Sequence, residues 1–180
     1  MSHILVVVDY QVDFVTGALG FPGADALLDG IQKKVDAQMA TDGLTIFTMD
    51  THDESYPSTR EGAHLPIPHC IRNTDGWNLF GSLHQYQGVA SSQIHTVQKP
   101  TFGATTLPDS IKNRVGTPES IELCGLVTNM CVIANAILLS AAFPNTKIIV
   151  DAALCGSGDK ALHEKALDVM AALHMDVINR

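Results

Sequence analysis

Basic residues are scarce in this chain of 180 residues: 11 Lys and Arg face 19 Asp and Glu, for a formal net charge of -8. The few cations are scattered along the chain. That excludes a basic stripe able to track nucleic-acid phosphates and leaves a small molecule as the expected partner. Long apolar runs are missing as well. Met1-Ser2-His3 passes directly into Ile4–Val8, a run too short for a signal-peptide core or a membrane span, so a cytosolic protein with no membrane attachment is expected. Cysteines number four, at 70, 124, 131 and 155, without the close spacing of a zinc ribbon or a redox dithiol. In a reducing compartment none of them needs to pair, and each is judged alone. Internal repeats and low-complexity tracts are absent, and the length suits one domain, 1–180, with a core that requires neither disulfides nor structural metal.

What is present alternates between two periods. Ile4–Val8 is a continuous aliphatic run ending at Asp9, as expected for a strand buried on both faces of a parallel sheet. Leu27, Leu28, Ile31 and Val35 fall at helical spacing within 24–39, with Gly43 beyond the end. A second strand, Leu44–Met49, runs into Asp50-Thr51-His52, after which both periodicities vanish. The stretch at about 51–92 is irregular, rich in Pro and Gly but also in His and aromatics, and so reads as a functional loop region. Strands at 92–97, 120–126, 147–150 and 175–178, with helices near 107–115, 131–142 and 159–173, complete the pattern. It predicts an α/β fold with a doubly wound, mostly parallel six-stranded sheet and helices on both faces.

Ligands of such sheets sit at the C-terminal ends of the strands. Asp9, Asp50, His52, Lys99 and the loop leading to Cys131 therefore converge on one crevice. A thiol in the first helical turn faces unpaired N–H groups that favour the thiolate, which makes Cys131 a candidate nucleophile. Asp9 supplies a proton acceptor, and Lys99 a positive charge that favours the thiolate and holds the carboxylate. In an extended segment Asp50 and His52 point the same way and can offer an oxygen and a nitrogen to one ion. His69 and Glu61 are candidates to close that site, and the donor types suit zinc, iron(II) or manganese.

Asp9-Tyr10-Gln11-Val12-Asp13-Phe14, Asp50-Thr51-His52, His69-Cys70, Lys99 and Gly125–Val132 stand in the order of the motifs of the isochorismatase-like cysteine hydrolases, and the chain most resembles their nicotinamidase/pyrazinamidase branch. The resemblance implies a triad of Asp9, Lys99 and Cys131 and a divalent metal, zinc before iron or manganese, on Asp50, His52 and His69, with Glu61 as a fourth or water-mediated ligand. It also implies an oxyanion hole from the backbone N–H groups of Val127 and Cys131, a cis peptide before Val127, and aromatic walls from Phe14 and Phe102. The implied reaction is hydrolysis of a small ring amide through a cysteine thioester, by a homo-oligomer, dimer or tetramer. Alternatives are a metal-free amidase or carbamoyl hydrolase of the same family and a non-catalytic thiol protein. Asn129 and Thr51 depart from the pattern, which commonly has aspartate and tryptophan there.

Overall fold

The computed structural model describes residues 2–89 and 91–180; position 90, within the irregular stretch, and Met1 lie outside it. Six strands form one sheet: β1 (His3–Val8), β2 (Leu44–Asp50), β3 (Ile94–Lys99), β4 (Ser120–Leu126), β5 (Lys147–Gly156) and β6 (Asp176–Ile178). Their order is β3-β2-β1-β4-β5-β6, and every pairing is parallel. The sheet is thus all-parallel where the sequence predicts a mostly parallel one. The chain winds outward from β1 through β2 to β3, then restarts on the other side of β1 with β4. The topological switch point lies between β1 and β4, and the crevice of such a sheet opens there.

Alternation along the strands builds two cores. Ile4, Val6, Val8, Ile46, Ile121 and Leu123 face the layer of α4 (Leu107–Val115), α5 (Ile133–Ala142) and α6 (Lys160–Ala172). Leu5, Val7, Phe47, Met49 and Cys124 face the other side, against Ile31 and Val35 of α2 (Leu28–Ala40) and Leu79 and Leu83 of the irregular stretch. That stretch, numbered 51–92, contains short helical turns, among them α3 (Arg60–His64), which Thr59 caps by accepting a 2.9 Å hydrogen bond from Gly62 N. A single helical turn, α1 (Val12–Val15), lies in what the sequence reads as loop. No helix of the described residues is long and apolar enough to cross a membrane.

Two other elements differ from expectation. Residues 128–132 form a π-helical turn, and the regular helix starts only at Ile133, after Cys131. β5 extends to Gly156, past the apolar run at 147–150. Between the central strands, Gly125 sits at φ +112 opposite Val8, and a β-carbon there would fall 2.2 Å from the Val8 carbonyl oxygen. The nearest atoms are all Val8 backbone, which leaves nothing flexible to move aside. Gly125→Ala is therefore expected to lower stability by about 3 kcal/mol, read from the midpoint of denaturant unfolding. A loss below about 1 kcal/mol would contradict that packing.

Candidate active site

β1 delivers Asp9 to the switch point in a left-handed conformation, φ 45, one that aspartate tolerates better than most residues. Thr48 of β2 donates to Asp9 Oδ1 at 2.6 Å, and Asp9 N donates to the Thr48 carbonyl at 3.1 Å. Lys99, at the end of β3, reaches across with Nζ 2.6 Å from Asp9 Oδ2, 3.5 Å from Asp50 Oδ1 and 3.4 Å from Cys131 Sγ. Its fourth contact is the Thr101 carbonyl at 2.9 Å. The three residues predicted to act together are in mutual reach, and all are buried.

Their electrostatics is that of a dry ion cluster. Burial raises the Asp9 carboxyl above its ordinary value, and the Lys99 ammonium only partly offsets it. Burial works against charge on Lys99, but Asp9, Cys131 and Asp50 hold its proton well above the usual lysine range. Cys131 departs from the sequence expectation. Burial and then the Asp9 charge and hydrogen bond push its thiol well above the usual cysteine range, against the pull of Lys99. Two carboxylates share that ammonium, and no regular helical first turn surrounds the sulfur. The surroundings of Cys131 therefore favour its thiol form over the thiolate.

Asp50, His52, Glu61 and His69 form the second constellation, with one donor atom from each lying within 4.8 Å of all the others. Asp50 Oδ2 lies 3.1 Å from His52 Nε2 and 3.3 Å from His69 Nε2; Glu61 Oε1 lies 3.9 and 3.8 Å from the same nitrogens. His69 Nδ1 is 2.8 Å from the Ile67 carbonyl and donates to it, which leaves the Nε2 lone pair aimed at the cluster. Lone pairs and carboxylates converging on one point fit a divalent cation of the zinc, iron or manganese type. Tyr56 packs on both imidazoles, with ring centroids 4.6 and 5.0 Å away. Burial and then Asp50 raise Glu61, whereas Asp50 itself, despite burial, is held well below the usual carboxylate range by the adjacent His52 and His69 side chains and the Lys99 ammonium.

A cavity of about 440 Å³ joins the two constellations, lined by Phe14, Phe102, Val127, Cys131, Asp50 and His69 among others. Phe14 and Phe102 both border it, Phe102 from an exposed position. The Leu126–Val127 peptide is cis, as the resemblance implies. His64 is exposed and turns back to the Arg60 carbonyl, and Cys70 packs in the α2-side core, so neither joins the metal cluster. Thr51 accepts a 2.8 Å hydrogen bond from Trp77 Nε1 and does not line the cavity; Asn129 lines it.

Several supporting residues lie outside the set of expected site residues. Gln11, fully buried, donates to the Asp50 and Trp77 carbonyls and accepts from Asp50 N, fixing the end of β2. Asn135, one turn after Cys131, donates to the Cys131 carbonyl at 2.8 Å and to the Phe102 carbonyl at 3.2 Å, and accepts from Ala104 N. It ties the turn that carries Cys131 to the loop after Lys99. A buried asparagine in the otherwise apolar run after Cys131 is the one sequence cue that could have exposed it.

The Isochorismatase domain model matches residues 3–180. No curated protein sequence matches significantly. Among solved structures, nicotinamidase PncA from Bacillus subtilis is similar at TM-score 0.85 and 24% identity, covering 98% of this chain and 99% of that one. Pyrazinamidase of Pyrococcus horikoshii in complex with zinc follows at 0.83 and 21%, covering 100% of both chains. PnC1 from L. infantum in complex with nicotinate is similar at 0.76 and 21%, covering 98% of this chain and 92% of that one. At these identities the likeness concerns the fold; the match along nearly the whole sequence shows that the chain belongs to the isochorismatase family.

Proposed function

We propose that this protein is a cysteine amidase that hydrolyses a small ring carboxamide of the nicotinamide or pyrazinamide kind to the acid and ammonia. The observation that carries the reading is Lys99 Nζ set between Asp9 Oδ2 and Cys131 Sγ beside an aromatic-lined cavity. Cys131 attacks the carboxamide carbon as its proton passes to Asp9, and the S–C bond forms while charge builds on the carbonyl oxygen. The N–H groups of Val127 and Cys131 receive that charge. Collapse expels ammonia with the proton from Asp9, and water then hydrolyses the thioester with Asp9 again as base.

Charge on the cavity wall favours a neutral substrate. Besides the Cys131 thiol its titratable lining is Asp50, Glu61, His69 and Asp159, with no Arg or Lys among the described residues that line it, which disfavours a multiply anionic ligand. Phe14 and Phe102 suit the faces of a flat ring. A divalent cation on Asp50, His52, His69 and Glu61 would supply a Lewis-acid anchor for a ring nitrogen. The same reading takes the protein to be a homo-oligomer.

Ammonia release from nicotinamide, pyrazinamide and simple aliphatic amides tests this, with metal content measured on the same sample. Ring amides are expected to be preferred by at least about tenfold in kcat/KM, and chelation to lower their turnover by at least about tenfold, reversibly on adding zinc. A metal-free preparation with undiminished turnover would remove the cation from the reading. Preference for aliphatic amides would remove the ring.

A further inference from the structure

α6 presents a stripe at helical spacing, His163, Ala166, Leu167 and Met170, and the last three are buried core residues. The first position of an apolar stripe is thus held by a half-buried histidine, outside the residues that line the cavity. His163 Nδ1 lies 2.9 Å from Thr128 Oγ1. Thr128 is fully buried, and its own hydroxyl proton goes to the Gly156 carbonyl at 2.9 Å. The threonine oxygen must therefore accept from the imidazole, which fixes the proton on Nδ1. Nε2 points the other way, 4.0 Å from Glu164 Oε1 at the surface.

Thr128 opens the π-helical turn that carries Cys131, directly after Val127. The Val127 carbonyl is itself held by Met130 N at 3.0 Å and Val132 N at 3.2 Å. The peptide between the two residues is thus gripped on its oxygen by the turn and, through the Thr128 side chain, by the end of β5 and by α6. An alkyl side chain at 163 would fill the stripe equally well but could not direct the threonine hydroxyl.

We propose that His163 is a positioning residue: its bond to Thr128 anchors the Val127–Thr128 peptide, which directly follows the Val127 N–H and opens the turn carrying the Cys131 N–H, and so holds both oxyanion donors in place. This rests on the reading of Cys131 as nucleophile. Because the role concerns charge on a carbonyl oxygen, it separates from the reactivity of the thiol itself. Acylation by p-nitrophenyl acetate forms an S–C bond, builds negative charge on the carbonyl oxygen and expels p-nitrophenolate, with the thiol proton passing to Asp9. Alkylation by iodoacetamide forms an S–C bond and expels iodide with no such charge.

Both probes are to be run on the full chain, with Cys131→Ala as the blank and melting temperatures recorded for each variant. In His163→Ala the acylation rate is expected to fall about tenfold while alkylation stays within about twofold. His163→Asn, whose amide nitrogen can take the place of Nδ1, is expected to recover to within about threefold of the parent rate. Thr128→Val reads the same bond from the other side and is expected to show the same split. Unchanged acylation in His163→Ala, a parallel fall of both rates, or an asparagine variant no better than alanine would overturn the proposal. A nitrophenolate burst that survives in Cys131→Ala would instead overturn the nucleophile reading, and the brace with it.

Discussion

Cys131→Ala is expected to lower amide turnover by about four orders of magnitude while the protein stays folded. Both halves follow from where the sulfur lies. Cys131 is 3% exposed and packs in the core shared by Val132 and Ala136, so alanine removes one atom and leaves a small void, worth about 1 kcal/mol. Burial and Asp9 raise the thiol and so favour its neutral form, and its removal leaves the Asp9–Lys99 ion pair in place. No other cysteine can substitute: Cys70, Cys124 and Cys155 are buried, and burial raises the thiol of each. The measurement is kcat for ammonia release beside a melting curve. Turnover within tenfold of the parent would remove Cys131 from the chemistry, whatever the fold does.

The parts of the site that the sequence makes visible share one property: each is a polar residue where an apolar run stops. Asp9 ends Ile4–Val8, Asp50 ends Leu44–Met49 and Lys99 ends the third strand, so strand periodicity alone carries them to the crevice. Gly125 and Thr128, at and just after the end of the fourth strand, mark Cys131 in the same way. Residues that hold these groups in place carry no such mark. Thr48 lies inside a strand, where alternation reads it as merely β-branched, yet it donates to Asp9. Gln11 lies in a loop, and its bonds to the end of β2 span 39 residues, a separation that no local pattern encodes. His163 interrupts the apolar stripe of α6, a signal that was available but reads as ordinary amphipathicity until Thr128 is placed beside it.

The thiolate expectation failed for a related reason. Proximity to a helix start is readable from sequence, but the number of carboxylates sharing one ammonium is not. Burial raises the Cys131 thiol most, and Asp9 and Asp50, which also hold Lys99, raise it further against the pull of that ammonium. The local backbone adds to it, because a π-helical turn intervenes before the regular helix.

Asp9→Asn separates the two roles of that proton and is expected to move two rates in opposite directions. Asparagine fits the left-handed backbone at φ 45 and keeps an oxygen for the Thr48 hydroxyl, so the local fold is retained. Amide turnover is expected to fall about a thousandfold, because no group remains to take the thiol proton, protonate the departing ammonia or activate the hydrolytic water. Alkylation of Cys131 by iodoacetamide is expected to become faster at neutral pH. The Asp9 charge and its hydrogen bond both raise the thiol, while Lys99 lowers it. Removing the negative charge lets the ammonium act unopposed from that side, so the thiol pKa falls, more thiolate is present at a given pH, and the pH curve of alkylation shifts to lower values. Lys99 keeps Asp50 as its remaining ion partner, 3.5 Å away, and stays charged. Slower alkylation in the variant would mean that Asp9 activates the sulfur by raising its nucleophilicity in the resting enzyme. Faster alkylation with lost turnover identifies Asp9 as the residue that carries the proton between steps.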